Sequence, residues 1–268
     1  MRFPGVALGE LWNNIGSAEV GLRVVALFAV AIGLTGMGGG VLLTPIMVLF
    51  LGVPPNVAVS NDLLISLAVK PVGALTHSRA GTVRSDMVLR LAVGSVPAAF
   101  LGALLVNTWF ADRADAMKYL IGGTLLVAAA MMIVRLLGRT RTVEEASPPV
   151  RTLPTVAIGV VGGLLVGMTS VGSGSLMLVL LSALYPTLAS RTLVGTDLAQ
   201  AIPLVAAAAL GHVLFGDIRL SIVAPVLVGA FPGVWLGSRW SVRMPEVALR
   251  PTLLVLVGAS GLRMVGAL

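Results

Sequence analysis

The sequence predicts an all-α polytopic membrane protein built from two five-segment inverted repeats, with roughly eight to ten membrane segments. The first observation is composition: of 268 residues, 57% are hydrophobic and 11% are charged, and the mean hydropathy is +1.02. Soluble domains usually carry about 25% charged residues. The second observation is an internal duplication, and the third is a pair of Gly-rich stretches that each interrupt an apolar run.

The duplication aligns the two halves without a gap from Asp62 onward. Asp62 matches Asp197, and His77 matches His212 at the same separation, and the sequence contains no other histidine. Further matched pairs are Gly81 with Gly216, Arg84 with Arg219, Gly94 with Gly229, Pro97 with Pro232, and Gly102 with Gly237. We therefore interpret the chain as a duplicated membrane unit.

Apolar segments predict five helices in each half. They cover residues 18–34, 41–51, 57–78, 87–107 and 116–137, and then 153–168, 176–185, 192–215, 220–238 and 246–265. Because five is odd, the two halves should cross the bilayer in opposite directions. The predicted organisation is an N-terminal segment (1–17), a first membrane repeat (18–138), a cytoplasmic linker (139–152) and a second membrane repeat (153–268).

The second segment of each half is too short to cross a bilayer. A helix needs roughly 20 residues to span the hydrocarbon core, and these segments have about half that number. We expect each one to form a broken or re-entrant helix whose Gly-rich tip lies inside the membrane. Irregular backbone is tolerated at that depth only when protein buries it or it lines a watery cavity.

Charge bias sets the expected orientation. With a cytoplasmic linker, the inside loops hold eleven basic and four acidic residues, and the outside segments hold six basic and five acidic residues. Positive residues concentrate on the cytoplasmic side, so both termini should lie outside. The N-terminus lacks the pattern of a signal peptide. The net charge of +7 follows from the same bias and predicts no nucleic-acid partner.

The two Gly-rich tips are the first candidate site. Backbone N–H groups before a helix start, together with the helix dipole, attract anions. The alternative for glycines in membrane helices is close packing, which we prefer for Gly159, Gly163 and Gly167. The candidate substrate-binding tip residues are Thr35, Gly36, Gly38, Gly39, Gly40, Thr169, Ser170, Gly172, Ser173, Gly174 and Ser175.

A polar helix face is the second candidate site. The residues that share this face through spacings of three and four are Asp62, Ser66, Lys70, Gly73 and His77. A charge in mid-membrane costs about 2.5–3.5 kcal/mol and usually serves function. The second copy has Val205 where the first has Lys70, so we expect an isolated cation at the centre. The alternatives are a structural relay between Asp62 and Lys70, and helix capping by the histidines.

Motifs for other chemistry do not occur. No glycine precedes a lysine, so the sequence has no Walker A motif, and it has no cysteine for a thiolate site. We predict no cofactor and no metal. Ser173 with His212 is the one pair that suggests an intramembrane hydrolase, but Val171 stands where that motif requires glycine. A structural or assembly protein is a further alternative, and it gives no reason for Lys70.

The broken helices, the Asn61-Asp62-Leu63 and Thr196-Asp197-Leu198 triplets, and the His–x–x–x–Gly pattern after each triplet resemble the sulfite exporter TauE/SafE family of bacterial permeases. The resemblance extends from about residue 22 to residue 265. It implies an inner-membrane permease for small anions such as sulfite or organosulfonates. Lys70, selected for its charge in mid-membrane, and Asn61 and Thr196 of the two triplets complete the candidate substrate-binding residues. Asp62, His77, Asp197 and His212 become coupling residues. Homo-oligomerisation is left open.

Overall fold

The computed structural model describes residues 40–79, 81–137, 148–172, 174, 176–220, 222–224, 226–228 and 246–267. These residues are helical, with turns and no strand among them. The helices are α1 (Gly40–Leu49), α2 (Pro55–Arg79), α3 (Ser85–Trp109), α4 (Ala114–Leu137), α5 (Thr152–Thr169), α6 (Leu176–Leu184), α7 (Ser190–Phe215) and α8 (Glu246–Met264). The predicted segment 18–34 and most of the linker lie outside the described residues. Of the predicted segment 220–238, residues 220, 222–224 and 226–228 are described and are helical.

Four of these helices are long and apolar enough to cross a membrane. Within the described ranges they are Ser85–Trp109, Ala114–Val134, Thr152–Thr169 and Arg191–Phe215. Helix α2 has 25 residues, a length of about 38 Å. It carries Asp62 and Lys70 in its interior. The predicted helical membrane protein is confirmed at this level, and the direction of each half stays a prediction.

The two short segments are short helices in the structure, as predicted. Helix α1 has 10 residues and α6 has 9, or about 15 Å and 14 Å. A turn at Gly52, with φ +63°, and Pro54 separate α1 from α2. Neither short helix can span the hydrocarbon core by itself.

Helices α3 and α5 pack at very close range through glycine. A Cβ added to the α5 glycines would collide with the α3 backbone, with Gly159 against Leu91, Gly163 against Ser95 and Gly167 against Ala99. Small residues let membrane helices approach in this way. The packing interpretation of these three glycines is confirmed.

Repeat-related residues pack in different core clusters. Met87 of α3 belongs to the same buried cluster as Met177 of α6. Its match in the second half, Ile222, belongs to a separate cluster with Leu43 of α1. The fourth predicted segment of each half thus shares a buried cluster with the short helix of the other half, and the first cluster also includes Val41 and Leu42 of α1. Helices α2 and α7 pack against each other.

Candidate functional site

Three charged side chains meet where α2 and α7 pack together. Asp62, Lys70 and Asp197 have relative exposures of 0%, 3% and 1%. The Lys70 ammonium is attracted most strongly to Asp197 and next to Asp62. The expectation of an isolated cation is therefore wrong. The sequence could not reveal this, because the carboxylate that matters most comes from the other half of the chain.

The Asp62 carboxylate is held by hydroxyl groups from three elements. Thr44 Oγ1 of α1 donates to Oδ2 at 2.5 Å, and Ser170 Oγ, just after α5, donates to the same oxygen at 2.9 Å. Ser66 Oγ, one turn along α2, donates to Oδ1 at 3.3 Å. Both carboxylate oxygens of Asp62 thus have donors. This network fixes the carboxylate in place.

Its repeat match, Asp197, has a different environment. Asp197 Oδ1 is buried and has no hydrogen-bond partner among the described residues. One turn further along α7, the buried Oε1 of Gln200 also lacks a partner in the described part of the chain. Gln200 Nε2 donates to Ser95 Oγ of α3 at 2.6 Å. Two buried acceptors on α7 are therefore available to a donor that enters the site.

The second Gly-rich tip is a buried turn between α5 and α6. Ser170 has φ +59°, and Gly172 and Gly174 have φ +118° and +104°, so the turn uses backbone conformations that favour glycine. Thr169 Oγ1 stabilises this turn by accepting the Val171 N–H at 3.2 Å. Of the predicted tip residues described here, Ser170 reaches the charged cluster through Asp62. Ser173 and Ser175 lie outside the described residues.

The first tip falls almost entirely outside the described residues. Thr35, Gly36, Gly38 and Gly39 are not among them, and Gly40 is the first residue of α1. The substrate role of this tip stays a prediction.

Asn61 and Thr196 form a reciprocal pair of contacts between the halves. The Arg84 N–H donates to Thr196 Oγ1 at 3.1 Å, and the Arg219 N–H donates to Asn61 Oδ1 at 2.8 Å. Both the donors and the acceptors are repeat matches. Asn61 also donates to the carbonyls of Val57 and Asp217 at 2.6 and 3.2 Å. Each side chain thus caps a helix start in the other half, an arrangement that the sequence analysis did not foresee.

His212 joins four helices through both ring nitrogens. Nε2 lies 2.8 Å from the Gly167 carbonyl of α5, and Nδ1 lies 2.8 Å from Ser60 Oγ of α2 and 3.0 Å from Asn107 Nδ2 of α3. Because a carbonyl only accepts, Nε2 carries a proton and donates it. Nδ1 is then the accepting nitrogen, and its neighbours are Ser60 Oγ and Asn107 Nδ2. The His77 side chain lies outside the described residues.

Thr44, Gln200 and Ser95 are site residues that the sequence analysis missed. Thr44 is the single polar residue of an otherwise apolar short helix, and Gln200 follows Asp197 by three residues on the same face. The polarity of Thr44 and the spacing of Gln200 are both visible in the sequence. Ser95 gave no comparable signal, because its role depends on the approach of α7.

The helices and the buried charged cluster define a polytopic membrane protein with a polar centre. The sequence profile of the family described as "Sulfite exporter TauE/SafE" matches residues 22–264. The chain belongs to this family, which confirms the resemblance drawn from its motifs.

Two curated relatives from Bacillus subtilis (strain 168) are similar over nearly their whole length. "Probable membrane transporter protein YjnA" is 35% identical over 255 residues, which cover 92% of this chain and 100% of the relative. "Probable membrane transporter protein YdhB" is 28% identical over 247 residues, which cover 90% of this chain and 97% of the relative. No solved structure matches the chain.

Proposed function

We propose that this protein is a secondary transporter of small anions, with sulfite or organosulfonates as the substrate class and the bacterial inner membrane as its location. Family membership and the names of the two relatives support the transport function. The observation that carries the proposal is Lys70, a buried cation between the two halves of a membrane protein. Ionisable residues at such positions usually mark a substrate or ion pathway.

We further propose that the halves are inverted repeats that move against one another. The reciprocal hydrogen bonds of Asn61 and Thr196 support this arrangement, since a two-fold relation makes matching residues contact each other's partners. In such transporters the substrate lies at the repeat interface near mid-membrane. The charged cluster lies between α2 and α7, one central helix from each half.

The anion should bind at Lys70, with hydroxyl donors nearby. Ser170 and Thr44 lie within hydrogen-bond distance of Asp62 and therefore border the cluster. Asp197 competes with the anion for Lys70, because its carboxylate attracts the same ammonium. The anion consequently has to replace this carboxylate as the partner of Lys70.

The test is flux of sulfite, sulfoacetate and sulfate into proteoliposomes under imposed membrane potentials. A wild-type protein should transport at least one of these anions. Lys70→Ala should reduce the flux strongly, and Lys70→Arg should retain part of it because the charge persists. The matched control is Lys118→Ala: Lys118 is the other lysine of the chain, and its side chain is 44% exposed beside Asp115.

Two outcomes would contradict the proposal at different points. If the wild-type protein carried none of the three anions, the substrate class would be refuted, and a structural membrane protein would be favoured. If Lys70→Ala transported as well as Lys118→Ala, the role of Lys70 would be refuted.

A further inference from the structure

We infer that Asp197, and not its repeat match Asp62, is the carboxylate that takes up a proton when an anion binds at Lys70, so that one anion and one proton move together. This inference rests on the proposed transport function. It assigns different roles to two aspartates that the sequence makes equivalent.

The difference lies in hydrogen-bond donors. Asp62 accepts from Thr44, Ser66 and Ser170, so these hydroxyl groups stabilise its ionised form in addition to Lys70. Asp197 Oδ1 accepts from no described residue, and the group that balances its charge is Lys70. The charge of Asp197 therefore depends on an ammonium that an incoming anion would occupy.

Among the described titratable groups, Lys70 is the one whose charge acts on Asp197. The helices that pack against α7 are α2, α3, α5 and α6. Lys70 of α2 is the charged group that acts on Asp197, and Asp62 lies beyond it on the same helix. Helix α3 presents Ser95 to Gln200, and α5 presents the Gly167 carbonyl to His212, and both are neutral partners.

The charges balance for one proton per monoanion. Without cargo, one ammonium faces two carboxylates. Binding of a monoanion adds one negative charge at Lys70, and a proton from solution removes one from Asp197 by forming an O–H bond at its unsatisfied oxygen. When the anion leaves on the other side, the O–H bond breaks, the proton leaves, and Asp197 again neutralises Lys70. The cluster has the same net charge with and without cargo.

This scheme makes a distinctive prediction about driving forces. An anion that moves with one proton carries no net charge, so its flux should respond to a pH gradient and not to the membrane potential. An anion that moves without compensation would respond to the potential instead. The two cases can be separated in the same proteoliposomes.

The experiment uses purified full-length protein in proteoliposomes, with methanesulfonate as a probe that stays a monoanion over the pH range and sulfite as a second arm. Anion uptake is measured together with internal pH under an imposed pH gradient, and separately under an imposed potential. For the wild type we expect about one proton per anion and accumulation of about tenfold per pH unit. We expect no response to the potential.

Asp197→Asn mimics the protonated carboxyl. It should retain measurable anion exchange, which also shows that it folds, while its proton movement falls to background and its net flux becomes sensitive to potential. Asp62→Asn, the repeat-matched comparison, should exchange more slowly and keep one proton per anion. Thr44→Val perturbs the same carboxylate without removing a charge, and Asp115→Asn neutralises a carboxylate of which 87% is exposed. Both should also keep that ratio.

The outcomes separate this inference from the proposed function. Wild-type uptake without proton movement, or Asp197→Asn that still moves one proton per anion, would overturn the inference and leave transport intact. Loss of coupling in Asp62→Asn with coupling kept in Asp197→Asn would reverse the assignment. Absence of flux for every anion would overturn the proposed function and the inference with it.

Discussion

Gly163 offers the most direct test of the packing between α3 and α5. A Cβ added at Gly163 would lie 2.6 Å from Ser95 Cα and 2.9 Å from Ser95 C. These are backbone atoms, which cannot rotate away as a side chain can. An ordinary contact begins near 3.4 Å, and the Ser95 carbonyl oxygen is closer still, so Gly163→Ala requires the two helices to separate locally by at least about 0.8 Å.

The cost of that separation can be estimated from packing. A gap of about 0.5–1 Å removes a quarter to a half of the dispersion energy across a contact, and overpacked sites usually lose about 1–3 kcal/mol. Ser95 also receives the 2.6 Å hydrogen bond from Gln200, which the shift would lengthen. We therefore expect Gly163→Ala to lower the free energy of unfolding by about 1–3 kcal/mol.

The measurement is SDS-induced unfolding of the purified protein in mixed micelles, followed by tryptophan fluorescence. The control is Gly123→Ala on α4, where the same substitution meets nothing within 4 Å. Because alanine is the better helix former, this control should be neutral or slightly stabilising. If Gly163→Ala were as stable as Gly123→Ala, the close approach of α3 and α5 would be refuted.

Three further predictions concern links between the halves, a buried histidine and orientation. Asn61→Ala should lower the free energy of unfolding by about 1–3 kcal/mol in the same SDS titration, and by more than Thr196→Val does, because it removes three hydrogen bonds instead of one. Equal losses of stability in the two variants would contradict this prediction. His212→Phe should lower the free energy of unfolding by about 1–3 kcal/mol, because it leaves the buried Gly167 carbonyl without a donor. A variant as stable as the wild type would argue against a stabilising role for the hydrogen bonds of His212. Ser147→Cys, in a chain without cysteine, should resist impermeant thiol reagents applied to intact, outer-membrane-permeabilised cells, and rapid labelling would reverse the proposed orientation.

The sequence predicted the described helices well because their ends carry clear signals. The predicted segment 57–78 corresponds to the helix Pro55–Arg79, and the predicted segment 192–215 corresponds to the helix Ser190–Phe215. Charged residues and proline bound these apolar runs, and the two short helices followed from their length alone. Helix periodicity also identified Asp62 and Lys70 as members of one face.

Contacts between helices were beyond the reach of such reasoning. Periodicity shows which residues share a face, but it does not show which helix faces them. The attraction between Lys70 and Asp197, and the network around His212, both connect residues from different halves. The same limit explains Asn61, whose polarity suggested a ligand and whose amide instead caps the start of a helix in the other half.

The asymmetry around the two aspartates has a consequence for how the halves could move. Two donors of Asp62, Thr44 and Ser66, face it from its own half, and the positions at the same offset in the second half are Val179 and Ala201. In the proposed movement of the halves Asp62 would keep these two donors, whereas Asp197 faces Lys70 across the boundary between the halves. At an effective dielectric constant of 20, two opposite charges attract by about 4 kcal/mol at 4 Å and by about half that at 8 Å. In the proposed mechanism, a few ångströms of relative motion would therefore weaken the Lys70–Asp197 attraction, so that cargo binding and movement of the halves would act on the same pair of charges.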